Sequence, residues 1–333
     1  MHVAIVRMTA MGDVIHTLAA IQFIKEKRPD IKITWFVEEK FADILAHNPD
    51  IDKIVPLDLH GLKREFSLHA LRSIYARIKS AGPFDLVIDV QGLLKSAIVA
   101  KIAGRLTAGL DSDSARESAA SIFYRRKYRV DCAGIAPMRF ASLLAQALDI
   151  EITEAMMLAK KPYLHYDIEK IDKKIDTFFS DAEKNILVVT GASNASKTYP
   201  HQKRIETINL LKDCNVLLIA GSDVERQDAE KIESATHARL LPKTDLETLK
   251  YMVEKSDLLI GGDTGPSHIA WAMNRPSVLL FGSTPKTMMM ETPINAAITS
   301  GAKVHPCRFD KSDRSIATID PRKVAETAQR LLA

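Results

Sequence analysis

The chain of 333 residues is 46% hydrophobic and 26% charged, with a net charge of +4, a globular composition with room for two cores of ordinary domain size. No apolar run approaches the roughly 20 residues that span a bilayer, and residues 1–7 lack the basic, apolar and cleavage regions of a secretory signal, so a cytoplasmic location is expected. The charge is uneven: residues 61–130 hold 13 Lys and Arg against 6 Asp and Glu, a local +7 that leaves −3 elsewhere, so an anionic partner fits this tract and not the whole molecule.

Short runs rich in Val, Ile and Leu recur at 3–6, 33–37, 86–90, 187–190, 216–220, 258–260 and 278–281, between helical stretches. Strands buried on both faces have this composition, and their alternation with helices predicts an α/β fold with parallel sheets. The first run leads into Arg7-Met8-Thr9-Ala10-Met11-Gly12-Asp13. That spacing puts Asp13 in a strand-to-helix loop, where a carboxylate can take a proton from a substrate hydroxyl; the plainer reading is an acidic residue that complements a helix dipole. The basic tract follows, with Lys63, Arg64, Lys95, Arg116 and the cluster Arg125-Arg126-Lys127, although solvated helix faces account for such a tract equally well. Between 158 and 184 the chain turns charged and strand-poor, with Lys160-Lys161-Pro162 and then a Lys/Asp-rich helix. This is the expected linker between two Rossmann-like halves, 1–160 and 161–320, ahead of a closing helix at 321–333.

In the second half, the run at 187–190 opens into Gly191-Ala192-Ser193-Asn194-Ala195-Ser196-Lys197, a small polar loop with hydroxyls and one lysine. Such a loop at a strand's carboxyl end suits phosphate oxygens, or else is merely solvent-exposed. Next, Gly221-Ser222-Asp223-Val224-Glu225 ends a strand, and Glu225 can hydrogen-bond ribose hydroxyls, though acidic residues are commonplace at helix starts. Thr244-Asp245-Leu246-Glu247 reads as a capping box that opens the helix before residue 258. The run at 258–260 ends in Gly261-Gly262-Asp263-Thr264-Gly265-Pro266, with Pro266 suited to the first turn of a helix whose free N–H groups and dipole face a diphosphate; a simple tight turn is the bland alternative. Neither G-x-G-x-x-G nor G-x-x-x-x-G-K-[ST] occurs, so a dinucleotide oxidoreductase and a P-loop phosphotransferase are disfavoured.

Four stretches, in order over nearly the whole chain, together resemble the ADP-heptose:lipopolysaccharide heptosyltransferases: Met11-Gly12-Asp13-Val14-Ile15-His16-Thr17-Leu18, Asp89-Val90-Gln91-Gly92-Leu93-Leu94-Lys95-Ser96-Ala97, Lys197-Thr198-Tyr199-Pro200 and Asp263-Thr264-Gly265-Pro266-Ser267-His268. Within that family, Val37-Glu38-Glu39, residues 91–97 and Ala115-Arg116-Glu117 are most similar to the members that add the first heptose to the Kdo region of lipid A, heptosyltransferase I. The resemblance implies a GT-B fold, two Rossmann-like domains with parallel sheets facing a central cleft, the acceptor on the N-terminal domain and ADP-heptose on the C-terminal one. It implies Asp13 as catalytic base and Lys197 as phosphate ligand. Glu225 becomes the ribose ligand, Thr244 a nucleoside contact, and Asp263, Thr264, Gly265 and His268 the diphosphate and sugar motif. Acceptor contacts are expected from Gly12, Lys63, Arg64, Gln91, Lys95, Arg116, Arg125, Arg126 and Lys127. The chain departs from the family at Ala192-Ser193, where a hydroxyl pair is usual, at Ala10, where Ser is common, and at Thr244, where Met is frequent.

The expected reaction is a single displacement that inverts the anomeric carbon of the heptose. Asp13 takes the proton of a Kdo hydroxyl while Lys197, Ser193 and the N–H groups of Thr264 and Gly265 stabilise the departing ADP. No metal or other cofactor is expected. The partners that the resemblance implies are ADP-heptose, Kdo-lipid A and the anionic cytoplasmic face of the inner membrane, with no nucleic acid expected. The rivals are another nucleotide-sugar transferase or epimerase of GT-B fold, including a later-acting heptosyltransferase, and a non-catalytic nucleotide-sugar binding protein.

Overall fold

Each of the seven apolar runs becomes a strand in the computed structural model, which describes residues 1–65, 67–192 and 194–333. The chain divides into two units, Met1–His165 and Tyr166–Ala333. The first is built on β1 (His2–Val6), β2 (Lys32–Glu38), β3 (Lys53–Leu57), β4 (Leu86–Asp89), β5 (Thr107–Leu110) and β6 (Arg126–Tyr128), in the order β3-β2-β1-β4-β5-β6. The second uses β7 (Lys184–Val189), β8 (Cys214–Ile219), β9 (Arg239–Leu240), β10 (Leu258–Gly262), β11 (Ser277–Phe281) and β12 (Asn295–Thr299), in the order β12-β11-β10-β7-β8-β9. All pairings within both sheets are parallel. Both sheets therefore have the doubly wound order, and the direction in which successive strands are added across the sheet reverses between β1 and β4 and between β7 and β10. Ligands of such sheets collect outside the carboxyl ends of the strands at those switch points.

Five strands carry no apolar run, and their positions explain why. β3, β6, β9 and β12 are sheet edges, which need less apolar surface, and β3 includes Pro56, which an edge tolerates because a missing N–H faces outward. β5 is only four residues, Thr-Ala-Gly-Leu, and its Gly109 leaves room for the Tyr124 ring, 2.5 Å from where a Cβ would stand.

The expected linker helix is absent. Residues 168–178 form two 3-10 segments, Ile168–Lys170 and Lys173–Phe178, because Asp167 and Asp172 each accept from a backbone N–H two residues on and so compete with helix propagation. The division falls after His165, not after residue 160. The closing helix, Pro321–Leu332, is capped by Asp320 as expected and belongs to the second unit, where Val324, Ala325 and Ala328 join the core of β7, β8, β10 and β11. The capping box at Thr244 is also displaced. Asp245 is the cap, accepting from Thr248 N at 2.8 Å, and Glu247 turns inward to Lys250, 2.6 Å away. Among the described residues no helix is long and apolar enough to cross a membrane.

Candidate functional site

In the first unit the carboxyl ends of β1 and β4 meet at the switch point. Arg7, just past β1, is buried; its Nη1 donates to Val90 O at 2.8 Å, its Nη2 lies 2.7 Å from Asp13 Oδ2, and its guanidinium covers the Phe140 ring at 4.3 Å. Burial pushes the Arg7 pKa down, against the pull of Asp13 and then Asp89, while the nearby Arg116 charge adds to the depression. Asp13 itself is the third residue of the helix Met11–Leu18, half-buried in its first turn and not in the loop expected for it. Gly12 precedes it in the same turn.

The loop after β4 braces this turn. Gln91 Oε1 accepts from Met8 N at 2.8 Å and Thr9 N at 3.1 Å, so this residue ties the two loops together and is itself buried. Asp89, fully buried at the end of β4, accepts from Tyr124 OH at 2.6 Å, Gln91 N at 2.8 Å and Gly92 N at 3.4 Å; burial raises its pKa against those bonds. Gly92 has φ +68, a backbone that disfavours side chains, and a Cβ there would also stand 3.0 Å from Leu110. Glu117 closes the other side, its carboxylate accepting from Leu94 N at 2.6 Å and its N–H donating to Gly92 O. Arg116 is thereby held, exposed, beside the loop and within electrostatic reach of Arg7. Arg139, on the helix Ala136–Leu148, completes the ring of charge. Burial lowers its pKa, the Asp13 carboxylate opposes that, and its Nε has no hydrogen-bond partner among the described residues. Asp13 thus stands beside Arg7, with Arg139 and Arg116 near, so a carboxylate able to take a proton from a hydroxyl lies where positive charge attracts an anionic molecule.

Not every expected acceptor residue joins this group. Lys95 is exposed in the first turn of the helix Leu94–Ala103. Lys63 and Arg64 are exposed on the helix Leu59–Arg64, two strands from β1, where Glu38 Oε1 accepts from His60 N at 2.8 Å. Arg125, Arg126 and Lys127 lie at the far edge of the sheet. At about 4.8 Å per strand, β6 is roughly 14 Å from β1, and the structure keeps this cluster apart from Asp13.

In the second unit the switch point lies between β7 and β10. Asp263, one residue past β10, is buried; its Oδ2 is 2.6 Å from Lys197 Nζ and its Oδ1 is 2.9 Å from His268 Nε2. Burial alone would raise the Asp263 pKa, but the His268 hydrogen bond and the Lys197 charge outweigh it and hold the carboxyl well below the usual carboxylate range. Glycines permit this closeness: a Cβ on Gly262 would stand 2.5 Å from Lys197 O, and one on Gly261 2.5 Å from Ser267 Oγ. Ser283 Oγ anchors the Lys197 loop by donating to Ser196 O at 3.1 Å, and Asn194 caps the 3-10 turn Ala195–Lys197. Ser193 lies outside the described residues. Thr264 holds the N-cap position of the helix Gly265–Ala272 without a side-chain cap bond, and Pro266 lies in its first turn as expected, so the unpaired N–H groups of that turn open beside Lys197.

Glu225 has a structural occupation. Its Oε2 accepts from Gly221 N at 2.7 Å and Ser222 N at 3.0 Å in a capping box on the helix Asp223–Ala235. Its side chain also fills the space over Gly191, at the carboxyl end of β7, so it stands on the same edge as Lys197. Thr244 is half-buried past β9, two strands from β7. Two Asp-x-Asp pairs exist, but Asp52 is taken by Lys25 at 2.9 Å and Ile33 N at 2.7 Å, and Asp111 closes a turn with Ser114 N at 2.8 Å.

Sequence reasoning missed Arg7, Asp89, Glu117, Tyr124 and Arg139. Arg7 and Asp89 did leave a signal, each being a lone charge at the carboxyl end of an apolar run that the sheet buries.

The chain matches the family model described as glycosyltransferase family 9 (heptosyltransferase) over residues 73–315. It is 34% identical to lipopolysaccharide heptosyltransferase 1 of Campylobacter coli, covering 99% of each chain, and 29% identical to the protein of that name from Escherichia coli strain K12, covering 85% of this chain and 88% of the other. Among solved structures it is similar to the Escherichia coli heptosyltransferase WaaC with ADP, at 25% identity and a TM-score of 0.81 over 99% of this chain and 100% of that one.

Proposed function

We propose, from the premise that this chain belongs to glycosyltransferase family 9, the heptosyltransferases, that it transfers heptose from ADP-heptose to the Kdo region of Kdo-lipid A with inversion at the anomeric carbon. The observation that carries the reading is the Lys197–Asp263–His268 group beside the first turn of the helix Gly265–Ala272. Asp263 meets Lys197 Nζ and His268 Nε2 through different oxygens, so it aims Lys197 and holds His268 at the edge where a diphosphate meets helix N–H groups. Charge growing on the departing ADP is then met by Lys197 and by the N–H groups of Thr264 and Gly265, with Ser193 as a further donor.

On the acceptor, Asp13 is the base. Its Oδ2 is fixed by Arg7, and the Arg7, Arg116 and Arg139 surround favours a molecule carrying carboxylates and phosphates. The reaction needs no divalent ion, since Lys197 and the helix terminus neutralise the diphosphate. The acceptor is a lipid, so the protein works as a peripheral enzyme at the anionic cytoplasmic face of the inner membrane. The test is donor choice: ADP release should require ADP-heptose and rise with Kdo-lipid A, whereas equal turnover of UDP-sugars would overturn the assignment.

A further inference from the structure

The first unit exposes apolar side chains on three adjoining elements. The helix Leu68–Ala81 packs Ile78 and Ala81 into the core of the sheet, yet Leu68, Leu71 and Tyr75 are 63%, 43% and 51% exposed. Spacings of three and seven put these on one stripe, and Arg72 and Lys79 share it, with Lys79 Nζ 5.9 Å from the Tyr75 ring centroid. The helix Leu94–Ala103 packs beside it and exposes Leu94 and Ile98; the 3-10 segment Ser118–Phe123, packed on that helix, exposes Ile122 at 77%. A single exposed leucine is ordinary; six large apolar side chains on neighbouring elements are not.

The charges choose the occupant. The two helices carry Arg72, Arg77, Lys79, Lys95 and Lys101 and no Asp or Glu. Protein interfaces are depleted in lysine. Apolar tips flanked by long cationic side chains, with no acidic residue on either helix and Glu117 beside Leu94 as an acid at the margin, match the boundary between phosphate headgroups and acyl chains, where lysine stems lie along hydrocarbon and their ammonium groups reach phosphate. We propose that this face, Leu68, Leu71, Tyr75, Leu94, Ile98 and Ile122 with its flanking cations, inserts into the surface of an anionic bilayer. It rests on the reading of the acceptor as a membrane glycolipid, and it adds apolar insertion to charge attraction.

The experiment uses the full chain with vesicles of phosphatidylethanolamine and phosphatidylglycerol, and with phosphatidylcholine vesicles as the neutral comparison. Wild type should sediment with the anionic vesicles, less so as salt rises. The triple variant Leu68→Ser, Leu71→Ser, Tyr75→Ser should bind them at least about tenfold more weakly, and Ile98→Ser with Ile122→Ser should weaken binding independently. Leu71→Trp should shift its fluorescence to the blue on anionic vesicles, a readout that does not depend on the triple variant's folding. Unchanged vesicle affinity in the triple variant, an unshifted Leu71→Trp, or a triple variant whose only change is loss of a dimer in ultracentrifugation would overturn the proposal. Vesicle binding is read without substrates and transfer to a soluble Kdo acceptor without vesicles, so failure of docking and failure of the transferase reading show in separate assays.

Discussion

Replacing Asp13 by Asn keeps the side chain's shape and removes its charge. Positioned base catalysis is worth about 10² to 10⁴ in rate, so kcat on a soluble Kdo acceptor should fall at least about a hundredfold. The same carboxylate is also the counter-ion 2.7 Å from the buried Arg7 guanidinium. A hydrogen bond to a charged group contributes about 1.5–3 kcal/mol. Because the Asp13 side chain is 26% exposed and Arg7 keeps its bond to Val90 O, the lower end applies. For a unit of this size each kcal/mol moves the midpoint about 2–4 °C, so thermal unfolding of the first unit should come roughly 3–6 °C earlier. ADP affinity, measured by calorimetry, should stay within about twofold, since Lys197, Asp263 and His268 all belong to the second unit. Two results would refute the reasoning: a variant that keeps more than about a tenth of wild-type kcat, or one that loses ADP binding in step with turnover.

Asp263→Asn should destabilise the second unit by about 3–5 kcal/mol in urea unfolding, because it strips Lys197 and His268 of a shared buried carboxylate. The wild-type carboxyl is held low despite its burial, so its contribution is complete above about pH 4, near the unfolded value, and fades as pH falls below that; a gap between the two proteins that stays constant from about pH 7 to about pH 3 would contradict this. Lys197→Ala should weaken ADP binding about tenfold or more and Glu225→Ala less, the latter also removing a helix cap; unaltered affinity in Lys197→Ala would sink the phosphate role. Turnover should survive excess EDTA, and complete loss that magnesium or manganese restores would show that the lysine and helix terminus do not suffice.

The sequence made the central strands legible because both their faces are buried, and apolar runs are what burial on both faces demands. Edge strands such as β3 and β6 face less of the core, so their residues are free to be Pro56 or Arg126, and no run marks them. Asp13, Lys197 and Asp263 could be singled out because strand ends and glycines announce the switch-point loops, while His268 came from the resemblance to the heptosyltransferases. What those residues touch could not be read: that Lys197 and His268 share Asp263, that Glu225 caps its own helix, or that Gln91 ties two loops together instead of standing open to an acceptor. The Lys197–Asp263 and Gln91–Met8 contacts join residues distant in sequence through the sheet order, which composition does not encode, whereas the Glu225 cap and the His268 bond are local and depend on where each helix starts. The 125–127 cluster shows the converse, since a dense charge run in sequence proves to be a sheet edge away from the base.

The most direct measurement incubates the full chain with ADP-heptose and Kdo-lipid A and follows ADP release together with the mass and anomeric configuration of the glycolipid. The account predicts ADP and product in equal amounts, one heptosyl residue gained per acceptor, and an inverted anomeric centre. A glycolipid of unchanged mass, or a product that retains the donor's configuration, would contradict it.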